Sequence, residues 1–149
     1  MNCLTLHENK LYSGSYDETI RIWNTETHEE IATLEGHTEG VSYLTFHDNK
    51  MYSGGDDDTI CIWARGTNTE TNEKISSLRG NTGIVKCLTI HENKLYSGSN
   101  DNTICIWNIE THEQIAVLEG HTSGVSCLTH FKNKLFSGSS DETICIWKI

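Results

Sequence analysis

Four tryptophans stand at positions 23, 63, 107 and 147 of a 149-residue chain, at spacings of 40, 44 and 40. A period near 40 residues marks a repeat architecture, and it constrains this chain more than any single motif. Residues 7–38 and 91–122 align without a gap and differ at six of 32 positions, which points to duplication. At about 100 to 200 residues per domain, the length fits one region rather than two independent cores.

Each unit reads as four short antiparallel strands. In the second unit, residues 41–46 form a first strand, 47–50 a hairpin turn in which Asn49 supplies the tight bend, and 51–54 a second strand. Asp57 lies in the next turn, 59–63 make a third strand and 74–78 a fourth. The third strand, TICIW, has apolar residues on successive positions, so both its faces are covered and sheets must stack on both sides. The span from Trp63 to Ile75 is 12 residues against 8 from Trp23 to Ile31, which places residues 64–72 in a longer surface loop.

Composition agrees with an all-β reading. There is no proline, alanine occurs only at 32, 64 and 116, and Thr, Ser, Ile and Gly recur throughout, which disfavours long helices. At 36% hydrophobic residues the core is expected to be thin. The formal charge of −10 repels phosphate backbones, so no nucleic-acid partner is expected. No apolar stretch approaches the roughly 18 residues of a membrane span, and the first ten residues lack the basic and apolar regions of a signal peptide. The expectation is no membrane partner and a cytoplasmic or nuclear location. The six cysteines, at 3, 61, 87, 105, 127 and 145, have none of the short paired spacings of a zinc site and are expected to be reduced, mostly buried thiols.

The motifs now identify a resemblance. Gly36-His37 and Gly120-His121 precede first strands, and an S-G-S/G-x-D turn recurs in every unit. His37 to Trp63, Asn81 to Trp107 and His121 to Trp147 are each 26 apart, and Asp17, Asp57, Asp101 and Asp141 each lie six before a tryptophan. The chain resembles the WD-repeat family of β-propellers over its whole length, and its repeats are similar to those of ubiquitin-ligase adaptors and signalling scaffolds. It departs from the family in having Asn24, Ala64, Asn108 and Lys148 after the tryptophans where the family has Asp, and Asn81 in place of one His.

The resemblance implies a single propeller region, 1–149, with blades of four antiparallel strands at approximately 1–35, 36–79, 80–119 and 120–149 and about fifteen strands in all. Propellers generally close with four to eight blades and relatives of this kind with seven or eight, so four such blades imply an open arc or half-propeller. Two readings stay open: the C-terminal part of a longer adaptor propeller, or a half-propeller whose copies assemble into a ring. Self-association through the open blade edges is expected on either.

In the family, the recurring Trp, Ser, His and Asp form a buried chain, indole to Ser to His to Asp, which satisfies a donor-only indole. Carried over, this network is Trp23, Trp63, Trp107 and Trp147; Ser13, Ser53, Ser97 and Ser137; His37, Asn81 and His121; and Asp17, Asp57, Asp101 and Asp141. Its repetition suits structure rather than a unique nucleophile, so no catalytic residue, cofactor or metal is expected. Asp56 and Asp58 beside Asp57 read as surface charge rather than a calcium site, and His7, His47 and His91 fall in different blades. The resemblance further implies that the top face is formed by Tyr16, Asp56, Asn100 and Ser140 before the turn Asp, by Asn2, Ser42, Lys86 and Ser126, and by Glu39 and Ser123. The resulting function is a non-enzymatic protein–protein interaction scaffold. Its expected ligand is a neutral or basic peptide or protein rather than a phosphorylated one, because Lys86 faces Asp56 and Glu39.

Overall fold

A computed structural model describes residues 1–65 and 72–149. The first blade comprises β1 (Cys3–His7), β2 (Lys10–Gly14), β3 (Ile20–Asn24) and β4 (Glu30–Leu34). The second holds β5 (Val41–His47), β6 (Lys50–Gly55), β7 (Thr59–Arg65) and β8 (Asn72–Arg79). The third holds β9 (Val85–His91), β10 (Lys94–Ser99), β11 (Ile104–Asn108) and β12 (Gln114–Leu118). The fourth has three strands, β13 (Val125–Phe131), β14 (Lys134–Ser139) and β15 (Ile144–Lys148). Each is an antiparallel meander in sequence order. The all-β architecture of fifteen strands in four blades is the expected one, and no closed ring is present among the described residues.

Two local details differ from the sequence reading. The hairpin bend is two residues long, because His47 and Lys50 pair within the ladder. The left-handed residue is the one before the asparagine: Glu8, Asp48, Glu92 and Lys132 have φ of 52, 50, 51 and 52°. Asn9, Asn93 and Asn133 instead offer their carbonyls to the backbone N–H of Thr25, Ile109 and Ile149. In the second blade the ladder continues to the Arg65–Asn72 pair, so Ala64, Arg65 and Asn72 belong to strands; the rest of the expected loop, 66–71, lies outside the described residues.

The cores lie between blades. Tyr12, Ile20 and Ile22 of blade one pack on Val41, Leu44, Met51 and Trp63 of blade two. The same positions recur one blade on, as Tyr52, Ile60 and Ile62 against Val85, Leu88, Leu95 and Trp107. Tyr96, Ile104 and Ile106 meet Val125 and Leu135 in turn. The third strand therefore buries one set of side chains forward and another backward, which is why it lacks polar alternation. Gly14, Gly54 and Gly98 permit this approach: a Cβ on each would fall 2.7 Å from Val41, Val85 and Val125 respectively.

The six cysteines are free thiols. Cys61, Cys87 and Cys105 are buried and Cys3 and Cys145 partly so, but Cys127 is exposed, since among the described residues no blade packs on it as blade four packs on Cys87. Burial pushes the Cys87 thiol up to about 12 and those of Cys3 and Cys105 up to about 11, so these groups stay protonated at neutral pH.

Candidate functional site

Two constellations can be built from the repeats. The first is internal to the blades. In blade two, Trp63 Nε1 donates to Ser53 Oγ at 2.8 Å, and Ser53 Oγ lies 2.7 Å from His37 Nε2. Since Ser53 already accepts the indole proton, its own hydroxyl donates to Nε2, leaving Nδ1–H to donate to Asp57 at 3.0 Å. Asp57 also accepts from Thr38 N, Thr59 N and Thr59 Oγ1 at 2.9, 3.1 and 2.7 Å. Blade four repeats this with Trp147, Ser137, His121 and Asp141, at 2.8, 2.7 and 2.8 Å along the chain. In blade one Trp23 donates to Ser13 at 2.9 Å, while Asp17 receives Thr19 and Arg21 in an exposed turn.

Blade three departs from this pattern. Trp107 donates to Ser97 at 2.9 Å and Ser97 to Asn81 Oδ1 at 3.0 Å, but Asn81 Nδ2 turns to Cys105 Sγ at 3.4 Å. Asp101 is held instead by Thr82 and Thr103. An amide is too short to span serine and carboxylate as imidazole does. Blade four carries His121 together with Ser139, at the position of Ser99, and still makes the full chain to Asp141, so a serine there is compatible with the ring. Asn81→His is expected to stabilise the chain by about 0.5–1.5 kcal/mol through the restored bond to Asp101. An unchanged or lower denaturant midpoint would contradict this.

Ser53 and Ser97 are fully buried, with Ser137 nearly so, so these hydroxyls hold the indoles within the sheet and are not presented at a surface. Among the described residues, no group of three or more His, Cys, Asp or Glu side chains is placed to hold a metal ion.

The second constellation is the top face. Asn2, Tyr16, Ser42, Asp56, Lys86 and Ser126 line one basin of about 520 Å³, together with Met1 and Ile84. A β-bulge positions three of them. Val41 pairs with Gly55 but Tyr43 with Gly54, so Ser42 is an extra residue, and Ser126 is displaced likewise; Lys86 falls at the corresponding step between Val85 and Cys87. The bulge turns the second residue of these three first strands out of the ladder and toward the rim. The loops are pinned beside it: Asp56 N donates to Gly40 O at 2.7 Å, and Asn100 N to Ile84 O and Ser140 N to Gly124 O at 2.9 Å each. Ser42 donates to the Asp56 carboxylate, which fixes that charge over the basin. Tyr16 stands 74% exposed at its edge.

Of the ten residues expected on this face, Asn100, Ser140, Glu39 and Ser123 do not line the basin. Ser140 instead contacts Ser126 at 3.3 Å and Ser123 accepts from Ser139 Oγ at 2.8 Å. The sequence reading missed Ile84, which supplies apolar surface. Its signal is a broken pattern: T-G-I-V at 82–85 replaces the T-x-G-V of 38–41 and 122–125. On the opposite face, Asn49 helps line a groove between blades two and three.

The family description "WD domain, G-beta repeat" matches residues 1–24, 28–64, 72–108 and 112–148. A probable E3 ubiquitin ligase complex SCF subunit, sconB of Aspergillus terreus, is 59% identical over 32 residues, which is 22% of this chain and 5% of that protein. The corresponding subunit scon-2 of Neurospora crassa is 59% identical over 34 residues, 23% and 5% of the two chains. Myosin heavy chain kinase C of Dictyostelium discoideum is 34% identical over 41 residues, 28% and 5%. The matches thus span about 5% of these relatives' length. Among solved structures, the computationally designed Ika8 protein superposes with a TM-score of 0.86 at 33% identity, over 98% of this chain and 45% of that one. The designed Ika4 protein gives 0.85 at 32% identity, over 100% and 92%.

Proposed function

We propose that this chain, which belongs to the WD domain, G-beta repeat family, is a non-enzymatic scaffold that receives a peptide or protein segment on the top face of its blades. The observation that carries this is convergence: side chains that differ from blade to blade meet in one basin, whereas the Ser-His-Asp sets that could suggest catalysis are repeated and buried. The ligand is neutral or basic. Asp56 is held at the basin, Glu39 stands exposed nearby, and Lys86 is the one cationic side chain among the described lining residues, too little for bidentate phosphate recognition. Tyr16 serves as the aromatic anchor and Ile84 as the apolar floor. The short likeness to SCF ligase subunits supports a substrate-recognising role of this kind. A second reading, favoured by the two open blade faces, is a half-propeller that completes its ring by association.

The test of the first reading is a panel of neutral, basic and phosphorylated peptides screened against the purified chain. Tyr16→Ala, Asp56→Ala and Lys86→Ala are each expected to weaken the selected peptide by about 1–2 kcal/mol, roughly 5- to 30-fold in Kd, at unchanged Tm. Preference for phosphopeptides, or sensitivity to Asn49→Ala with none to these three, would reject the assignment.

A further inference from the structure

The two ends of the arc carry the separated halves of an interface that the molecule already makes three times. Ile20, Ile60 and Ile104 occupy one position in successive blades and are 0% exposed; Ile144, the same residue in blade four, is 75% exposed, and Ile146 62%. On the receiving side, Val41, Val85 and Val125 are 0% exposed, while Met1 in that position is 73% exposed. Leu4 and Leu6, which correspond to the packed Leu44 and Phe46, are exposed as well. Gly138 leaves the gap that Gly14, Gly54 and Gly98 fill with the next blade's valine.

Charge names the occupant. Phe131, Phe136 and Ile146 form an apolar hollow of about 730 Å³ rimmed by Lys132, Lys134 and Lys148. Two of these lysines are particular to blade four, where the other blades have Glu8, Asp48 and Glu92, and Asn24, Ala64 and Asn108. Across the internal seam between blades two and three, Lys50 and Glu110 line a common groove. Carried two interfaces on, to blade four against blade one of another copy, Lys134 takes the place of Lys50 and Glu26 that of Glu110, with Lys132 and Lys148 beside it. Glu26 lies on the N-terminal blade's surface with Glu8.

We propose that two copies join head to tail, the forward face of blade four of each seated on the backward face of blade one of the other, to close a ring of eight blades. This rests on the reading of the open faces as contact surfaces and adds the occupant and its orientation. A face that differs from its receptor makes a heterologous contact, which closes or runs on into a fibre according to its rotation. One arc superposes on 45% of the designed Ika8 chain, so its curvature is one that a chain about twice as long also carries.

Sedimentation equilibrium of the purified chain is expected to give twice the 16.8 kDa chain mass over a wide concentration range. Ile144→Asp with Ile146→Asp, and separately Leu4→Asp with Leu6→Asp, alter side chains that are exposed in the single copy, so each variant is expected to fold with the same β-sheet dichroism and to run as a monomer. Mixed, the two variants retain one good seam and form a dimer about 100-fold or more weaker than the ring. Lys132→Glu with Lys148→Glu is expected to weaken the parent ring while leaving Phe131, Phe136 and Ile146 in place, and Glu26→Lys in the same chain to restore it. A monomeric parent chain would remove the reading of the faces altogether. Self-pairing of the Leu4 and Leu6 variant would keep association but overturn the head-to-tail arrangement, and mass rising without limit would overturn closure.

Discussion

Asp57→Ala is expected to lower stability by about 3 kcal/mol, more than any other single change within blade two's network. Four donors converge on this carboxylate: the His37 ring, the Thr38 amide, and the amide and hydroxyl of Thr59. His37 itself is buried, so its N–H has no water to turn to once the acceptor is gone. Hydrogen bonds to a charged acceptor contribute about 1.5–3 kcal/mol each when broken singly, and the four act as a unit rather than adding. Trp63→Phe removes one neutral donor from Ser53 and fills the same slot less well, so about 1–2 kcal/mol is expected. Asp17→Ala supplies the contrast, because that carboxylate sits in an open turn with Thr19, Ser15 and Arg21 as its partners among the described residues, and its loss is expected to move the midpoint far less. The three denaturant midpoints, in urea, decide the matter. Equal shifts for Asp17 and Asp57 would mean that the carboxylate acts through the turn alone and not through the buried chain.

That difference between blades shows what was legible in the sequence. The four blades follow from the spacing of Trp, turn Asp and Gly-His, because each framework residue answers a geometric need that recurs at one place in every blade. The rim placement of the second residue of a first strand comes from the resemblance alone, and in blades two and four a bulge at Ser42 and Ser126 is what turns that residue out of the ladder. The hairpin bend is not legible. Asn49 reads as the residue that makes the tight bend, yet the positive φ falls on Glu8, Asp48, Glu92 and Lys132, residues with no shared preference for it. There the two-residue link and the pairing of His47 with Lys50 impose the backbone, and residue choice follows other demands. Ile84 escaped notice for the opposite reason: it fills a place that the other repeats leave to glycine, and a substitution that breaks a pattern carries information only once the neighbouring blades show what surrounds it.

On acidification, stability is expected to hold or rise from neutral pH to about pH 5 and then to collapse below the ordinary carboxylate value of 3.8. Asp17, Asp57, Asp101 and Asp141 all titrate below that value in the folded chain. At Asp57 burial works in the opposite direction, but the Thr38 amide, the Thr59 hydroxyl and His37 outweigh it; at Asp101 burial is likewise outweighed, by Thr103 and Thr82. At Asp141 the Thr143 hydroxyl is the main cause, and at Asp17 the Thr19 hydroxyl. A carboxylate whose folded value is depressed contributes stability that is complete above the unfolded value and is lost as pH falls through the folded one. Below 3.8 the unfolded chain therefore binds up to four more protons than the folded chain, one for each of these aspartates. His37 has the opposite sign. Burial resists its charge, but Cys61 and Asp57 raise its value above the ordinary 6.5, so its contribution is present below 6.5 and fades as pH rises through the folded value. Relief of the −10 net charge acts in the same direction as His37 over this range. Urea midpoints measured from pH 8 to pH 3 on the parent chain and on His37→Gln separate the two effects. The parent should gain or keep stability down to pH 5 and the variant should lose part of that gain, while both fail together below 3.8. A steady decline from pH 7 to pH 5 in the parent would show that histidine protonation opposes the fold, and stability unchanged from pH 5 to pH 3 would show that the aspartates are not held by these donors.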